Sequence, residues 1–250
     1  MKLVRPIQSI LLVMMPLAVA YTFWVGPAKG FMEPELARII FFHVPCALMS
    51  SVWVIWSGVC GIQVLRTRSH VWDQRNAAAL EMGFLMAILA MVTGILFSRV
   101  QWGEWWHWDP RQTSFLMVLL ILAGALAVRG GFADEQKRTM ATAGYSSLAM
   151  VPLIFLIFVY PRIGLVASRS AHPSQTLPQN QLDIYYRLGF YGMLILMLGL
   201  TISLYIIRTR VGLLEVALNQ HGLDKARGGS PASHRVVRPV DLSQPPGPTS

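Results

Sequence analysis

The stretch WGEWWHWDPRQTS, residues 102–114, lies between two long apolar runs and carries half of the protein's eight tryptophans. Its tryptophans are interspersed with Glu104, His107, Asp109 and Arg111. Because a charged side chain near the bilayer centre costs roughly 2.5 to 3.5 kcal/mol, this stretch belongs at a membrane surface. Four indole rings also offer large flat apolar faces, a feature typical of a platform for a broad planar ligand.

A belt of interfacial tryptophans is the simpler interpretation of this stretch. Amphipathic indole rings concentrate at the headgroup region of membrane proteins in general, and this tendency alone would account for one or two of them. Here four tryptophans alternate with Gly103, Glu104 and His107 within seven residues. So many polar interruptions favour a binding surface over a belt alone.

The composition places the chain among membrane proteins. Of its 250 residues, 54% are hydrophobic and 13% are charged, against about 25% charged residues in soluble domains. The net charge of +9 could suggest nucleic acid as a partner. The basic residues are, however, dispersed among apolar runs rather than gathered on one polar domain, which argues against nucleic-acid binding.

Six apolar runs predict an all-α protein with six transmembrane helices, contained in residues 1–210. The fourth run is short for a membrane span of roughly 20 residues, so its helix should begin inside the Trp-rich stretch. The first run has no small-residue cleavage site and is predicted to be a retained span. Residues 211–250 are predicted to form a largely disordered tail, since their end is rich in Pro, Ser and Gly. The runs are residues 7–25, 39–65, 77–97, 115–128, 140–160 and 188–207.

Positive charge predicts the orientation of these spans. With both termini in the cytoplasm, the inner segments carry fourteen of the 21 Lys and Arg residues and the outer segments carry seven. Positively charged loops favour the cytoplasmic side. The outer loops are then residues 26–38, 99–114 and 161–187, so the Trp-rich stretch faces outward.

The two cysteines carry no redox signal. Cys46 and Cys60 fall in one predicted helix, where they stand about 21 Å apart, far beyond the reach of a disulfide. The sequence contains no CxxC pair, so thiol chemistry has no support.

Three of the six histidines, namely His43, His107 and His172, fall on three different outer segments. His43, in IIFFHVPCALM, lies about one turn inside the second span, where an ionisable residue indicates a functional site. The alternative is a hydrogen bond to a backbone carbonyl that Pro45 leaves free. His172, in SAHPSQT, could join His43 as the second axial ligand of one haem iron.

Zinc is the competing interpretation of these histidines. The three outer histidines, with Glu104 or Asp109, could supply its ligands. Zinc makes no use of four tryptophans, whereas a haem does, and its propionates would find cations in Arg111, Arg99 or Arg169. The residues therefore favour a haem without excluding a metal site.

WGEWWHWDPRQTS resembles the tryptophan-rich "WWD" signature of the haem-handling proteins of cytochrome c biogenesis. Within that group the chain is similar to the CcmC family. The features that select this family are six spans, a short chain, FFHVP at the start of the second span and one histidine in the last outer loop. The resemblance covers roughly residues 39–207, and its signature is specific.

This resemblance implies a haem carrier rather than an enzyme. It implies haem b held between His43 and His172 as axial ligands, at the periplasmic face of the inner membrane. It further implies delivery of the haem to the periplasmic chaperone CcmE, with the CcmA/CcmB transporter and CcmD as membrane partners. Arg111 is expected to bind a propionate. The residues that match the family's platform are Trp102, Trp105, Trp106, Trp108 and Asp109.

Three other functions compete with haem delivery. A haem lyase of the CcsA or CcmF type would join haem vinyl groups to cysteines. A membrane b-type cytochrome commonly places histidines in mid-span, and no span here does so. Metal transport would need ionisable residues in the spans, which are missing apart from Glu81. We expect Glu81 to extend to the membrane surface or to pair with Arg75.

Overall fold

The computed structural model describes residues 4–27, 31, 33–172 and 183–226, and these residues form helices and no strands. Six of the helices are long and apolar enough to cross a membrane, which confirms the predicted all-α class and the number of spans. The elements in order are α1 (Val4–Trp24), a 3-10 turn (Leu36–Ile39), α2 (Ile40–Thr67), α3 (His70–Trp102), α4 (Pro110–Gly130), α5 (Glu135–Ile154), a π-helical turn (Phe155–Val159), a 3-10 turn (Tyr160–Arg162), α6 (Gly164–Ala167) and α7 (Ile184–Ala226).

The helices extend beyond the apolar runs that predicted them. Helix α3 begins at His70 and ends at Trp102, and α4 begins at Pro110, inside the Trp-rich stretch as predicted. The non-helical part of that stretch is therefore only residues 103–109. Apolar runs mark the part of a helix suited to hydrocarbon, whereas good helix formers such as Leu, Glu, Gln and Arg continue the same helix beyond the membrane.

Helix α7 shows the largest such extension. It continues to Ala226, so residues 211–226 are helical where the sequence predicted a polar tail. The described residues up to Leu213 belong to one compact unit, and the remainder of α7 belongs to a second. The disorder predicted from residue 227 onward lies outside the described residues.

Small residues allow α2 and α5 to pack closely. A Cβ on Gly61 would lie 2.7 Å from the Ala143 carbonyl oxygen and 2.5 Å from Ser146 Oγ. Contacts of that length with backbone atoms cannot be relieved by a side-chain rotation, so only glycine permits this approach. Small residues at helix contacts are the usual solution in membranes, where backbones must come close to gain packing energy.

Cys46 and Cys60 are buried free thiols.

The end of the molecule that carries the Trp-rich stretch is held together by α1, α2 and α7. Phe41 stacks on Tyr186 with ring centroids 4.3 Å apart, and the Tyr186 hydroxyl donates to the Ala37 carbonyl at 3.0 Å. The Arg38 guanidinium donates to the Thr22 carbonyl at 2.7 Å. It thereby satisfies a carbonyl that the end of α1 would otherwise leave without a donor.

Two bidentate ion pairs connect α3 to its neighbours. Asp73 accepts two hydrogen bonds from Arg129 of α4, at 2.9 and 3.0 Å. Glu81 accepts two from Arg208 of α7, at 2.6 and 2.8 Å. The predicted pairing of Glu81 with Arg75 is wrong, because the Arg75 guanidinium lies over the Trp72 ring instead, 4.6 Å from its centroid.

Replacement of Asp73 by asparagine should destabilise the helix bundle. Asp73 is 1% exposed, and removal of one partner from a buried ion pair costs about 3 kcal/mol because the other charge stays buried. Thermal unfolding in detergent, followed by circular dichroism, should show a lower midpoint. Glu81→Gln is the matched control and should lower the midpoint less, since its pair with Arg208 is about one-third exposed. Equal midpoints for Asp73→Asn and the wild type would contradict this account.

Candidate functional site

A cavity of about 190 Å³ opens near the Trp-rich end of the bundle. Its volume is below the roughly 300 to 1,000 Å³ of pockets that enclose a small ligand, so a large ligand would enter it only in part. Its walls come from α2, α3, α4, the π-helical turn, the 3-10 turn that follows it and the segment that carries His172. The polar and aromatic residues of the lining include His43, His172, Trp102, Arg111, Gln112 and Arg162.

The π-helical turn shapes one wall of this cavity. Pro152 has no backbone N–H and cannot continue the regular hydrogen-bond ladder of α5. The chain widens into the π-helical turn Phe155–Val159 shortly afterwards. Ile157 and Phe158 of this turn face the cavity. Such π turns occur often at functional sites, because they redirect side chains without ending a helix.

His43 lies in the first turn of α2, and its imidazole is oriented by α3. Its Nδ1 lies 2.9 Å from the Ala90 carbonyl oxygen and 3.2 Å from Thr93 Oγ1. A carbonyl oxygen only accepts, so Nδ1 carries a proton, and in the neutral imidazole the lone pair is therefore on Nε2. The accepting carbonyl belongs to α3, and the predicted alternative of a carbonyl freed by Pro45 is wrong. A histidine held in this way through Nδ1 is a typical metal ligand through Nε2.

Gly94 provides the space for this imidazole. A Cβ on Gly94 would lie 2.9 Å from His43 Cε1, which is closer than van der Waals contact allows. Any larger residue at position 94 would therefore push the imidazole out of its place against Ala90. This role has no signal in the sequence, because a lone glycine is common in membrane helices and does not identify the residue that it faces.

His172 lines the same cavity as His43. The two ring centroids are 6.3 Å apart, with an angle of 53° between the ring planes. Burial is the main cause that lowers the pKa of His172 to about 4, and the nearby His43 and Arg111 lower it further. The imidazole is therefore neutral at neutral pH, the form that ligates a metal. The structure thus brings together the two histidines that the sequence paired.

Asp109 holds the segment that carries His172. Its Oδ1 accepts from the Arg111 backbone N–H at 2.8 Å and so caps the N-terminus of α4. Its Oδ2 accepts from the Ser170 hydroxyl and from the Ala171 N–H, both at 2.8 Å. The Ser170 hydroxyl oxygen in turn accepts from the His172 N–H at 3.2 Å. Asp109 is 2% exposed, and through these bonds one carboxylate fixes both the start of α4 and the position of His172.

The four tryptophans do not share one environment. Trp102 lines the cavity, with its ring 6.2 Å from that of His172 and 5.6 Å from that of Phe97. Trp105 and Trp108 are 59% and 74% exposed. The ring of Trp106 packs edge-to-face on that of Trp108 at 5.7 Å. The predicted platform is thus divided into one ring that lines the cavity and three rings that do not belong to its wall.

Trp108 also has a strained backbone, with φ of 54°. Bulky residues rarely adopt this left-handed conformation, and where they do the strain is concentrated at functional sites. The following residue is Asp109, whose hydrogen bonds to the 170–171 segment and to α4 hold the chain in this turn. The strain at Trp108 therefore accompanies the arrangement that positions His172.

His107 lies outside this pair of histidines. Its Nδ1 is 3.3 Å from Glu104 Oε2, and its ring is 5.6 Å from that of Trp102. Among the residues that the structure describes, no group of three or more His, Cys, Asp and Glu side chains is placed to hold a metal ion. The predicted zinc site of three histidines with Glu104 or Asp109 is therefore not assembled by these residues.

Of the three arginines predicted to bind propionates, Arg111 is the one that lines the cavity. Arg99 lies over the Trp105 ring, 5.8 Å from its centroid, and donates to the Gly103 carbonyl. Arg169 is exposed and is absent from the cavity wall. The cavity wall instead contains Arg162, which the sequence did not single out because it follows the fifth apolar run like any basic residue at a membrane surface.

Comparison with known proteins places the chain among haem exporters. The family model described as "CcmC: Heme exporter protein C" matches residues 1–222. Heme exporter protein C of Paracoccus denitrificans is 30% identical over 195 residues, which cover 74% of this chain and 79% of that protein. Heme exporter protein C of Escherichia coli K12 is 27% identical over 184 residues, which cover 72% and 73%. A putative cytochrome c biosynthesis ccmC-like mitochondrial protein of Marchantia polymorpha is 33% identical over 118 residues, which cover 47% and 51%.

Proposed function

The chain belongs to the CcmC family of heme exporter proteins, and we propose that it binds haem b between His43 and His172 and passes it to an acceptor. Membership of this family supports a role in haem handling for cytochrome c maturation. The acceptor that we propose is the haem chaperone CcmE, with CcmA, CcmB and CcmD as membrane partners. The site would face the periplasm from the inner membrane, as the distribution of positive charge predicts.

The separation of the two imidazoles carries this proposal. A metal–imidazole bond is about 2 Å long, and the ligating nitrogen lies about 1 Å from the centroid of its ring. Two imidazoles on opposite sides of one iron therefore have centroids about 6 Å apart. The observed separation of His43 and His172 is 6.3 Å. Since both rings are neutral nitrogen donors at the wall of one cavity, this pair fits an axial ligand set for haem iron.

The surrounding residues suit a ligand that must later leave. The cavity holds part of a large planar ligand, so an edge of the ligand would remain outside it. Exposed Trp105 and Trp108 provide flat apolar surfaces for that edge or for an incoming acceptor. Two neutral imidazoles can be replaced one at a time by ligands of an acceptor, because neither is covalently joined to the haem.

Absorption spectra of the detergent-purified protein test this function. The wild type, loaded with haem in oxidised and reduced form, should give the spectrum of a six-coordinate, low-spin haem with two nitrogen ligands. Haem should then move to purified CcmE when the two proteins are mixed. A wild type that retains no haem, or a five-coordinate spectrum, would refute the proposed ligand pair. Maturation of a c-type cytochrome by this protein without CcmE would instead identify a haem lyase.

A methyl group at position 94 should weaken haem binding without removing either ligand. In Gly94→Ala the new Cβ would overlap the His43 ring, so the imidazole must leave its hydrogen bond to Ala90. Loss of such an orienting bond costs about 10- to 100-fold in metal affinity, measured here by haem titration. Gly144→Ala is the matched control, because its Cβ would meet no atom within 4 Å. Unchanged affinity in Gly94→Ala would show that the orientation of His43 is unimportant.

A further inference from the structure

The cavity wall also contains polar groups that the ligand pair does not use. Arg111, Gln112 and Arg162 all line the cavity. Arg111 and Gln112 are neighbours in the first turn of α4, whereas Arg162 ends the 3-10 turn after α5. Two guanidinium groups and one amide therefore converge on the cavity from two different elements. The two guanidinium groups are close enough to repel each other.

Gln112 supplies an amide donor in this group. Its side chain is 9% exposed, and its Oε1 accepts from the His107 backbone N–H at 3.1 Å. A backbone N–H only donates, so the amide atom of Gln112 that is bonded to it must be the oxygen Oε1. The other amide atom is therefore the nitrogen Nε2. Nε2 is buried and has no hydrogen-bond partner among the described residues. A buried donor without a partner is unfavourable, so this atom is available to donate to an acceptor on a ligand in the cavity.

Arg162 supplies a charged donor from the other side. Its Nη1 donates to the Phe158 carbonyl at 2.7 Å, which fixes the guanidinium beside the π-helical turn. The residue is exposed at the cavity mouth, where a ligand would meet water. A guanidinium has five N–H donors in a fixed planar fork that fits a carboxylate.

The carboxylate of Asp109 does not serve as the acceptor for Gln112 Nε2. Both oxygens of Asp109 already accept hydrogen bonds, from the Arg111 backbone N–H, Ser170 and Ala171. Its charge attracts the Arg111 guanidinium. The wall thus presents Gln112 and Arg162 as donors toward the cavity, and a negatively charged ligand is the chemistry they would recognise.

We propose that Gln112 Nε2 and the Arg162 guanidinium, beside Arg111, form a carboxylate-binding corner that takes a propionate of the bound haem. This inference rests on the proposed function, because it assigns the anionic groups of the same ligand. It adds Gln112 and Arg162 to the site, and it predicts that the haem binds in one orientation. Arg162 would hold a propionate where the cavity wall is exposed, whereas His43 and His172 would hold the iron.

Titration with haem and with haem dimethyl ester, in which both carboxylates are blocked, tests this inference. The wild type should bind haem at least about tenfold more tightly than the ester, since hydrogen bonds to charged groups are roughly twice as strong as neutral ones. The ratio of the affinity for haem to the affinity for the ester should fall severalfold in Arg162→Gln and in Gln112→Leu. In the double variant this ratio should approach one. In each variant, haem and its dimethyl ester should both still give the spectrum of an iron with two nitrogen ligands.

Arg187→Gln is the matched control. It removes the same charge near the start of α7, outside the cavity wall, and should keep the preference of the wild type. Arg162→Lys retains the charge but not the planar fork, and should keep part of the preference.

An unchanged preference in the double variant would overturn the inference while the function stands. A wild type that binds neither ligand with two nitrogen donors would refute the function, and the inference with it. The preference is the ratio of two affinities that are measured on the same protein. A low yield of folded variant therefore does not change this ratio. The titration is repeated in bilayers with and without an anionic phospholipid. Loss of the preference in the anionic bilayer would assign the corner to a lipid phosphate instead and overturn the inference.

Discussion

Alanine in place of His43 or of His172 is expected to lower the affinity for haem by at least about 100-fold, more than the loss of a supporting residue. Each imidazole would supply one of two axial bonds, and the cavity is too small to hold the ligand by enclosure. Either variant should therefore lose the six-coordinate spectrum. Haem titration followed by absorption in the Soret region measures both effects.

Added imidazole distinguishes the loss of an axial ligand from the loss of the folded structure. Free imidazole can occupy the space of the removed side chain and should restore the six-coordinate spectrum in each variant. His107→Ala is the matched control and should bind haem like the wild type, because its ring is paired with Glu104 rather than facing His43. If His107→Ala lost the spectrum and His172→Ala kept it, the ligand pair would be wrongly assigned.

Asparagine at position 109 is expected to weaken haem binding by about 10- to 100-fold, the usual effect of a residue that orients a metal ligand. The amide oxygen can still cap α4 by accepting from the Arg111 N–H. Its NH₂ group, however, cannot accept from the Ala171 N–H as Asp109 Oδ2 does. The segment that carries His172 should then lose its anchor, and the haem should become partly five-coordinate.

Asp134→Asn is the matched control for this substitution. Asp134 caps α5 by accepting from the Lys137 N–H at 2.7 Å, and the structure shows no bond from it to the described part of the His172 segment. Its replacement should leave haem affinity unchanged. Ser170→Ala should weaken binding less than Asp109→Asn, because the bond from Ala171 to Asp109 remains. Equal affinities for Asp109→Asn and Asp134→Asn would show that the carboxylate does not position His172.

Much of the candidate site could be predicted from local sequence because its chemistry is concentrated in few residues. An imidazole near the start of an apolar run is costly in a membrane, so His43 indicated a site without any partner in view. The tryptophans of residues 102–114 and the charges among them placed that stretch at the membrane surface. Six apolar runs predicted the number of helices, since a bilayer requires a helix of a certain apolar length.

The roles of individual side chains depended on contacts between distant parts of the chain. The signature predicts that Asp109 belongs to the ligand platform, and only the structure shows that its carboxylate joins α4 to residues 170 and 171. Gln112 and Arg162 carried no signal, because an amide near a helix start and a basic residue after a span are both common.

The sequence by itself determined that this chain is a six-helix membrane protein with tryptophans and histidines concentrated in a few connecting segments, because hydropathy and charge act locally along the chain. Only the tertiary structure decided which groups meet. The separation of 6.3 Å between His43 and His172 depends on how α2, α3 and the segment before α7 pack together. The same packing placed Gly94 behind His43 and brought Arg162 to the cavity beside Gln112, and such long-range contacts leave no periodic pattern in the sequence.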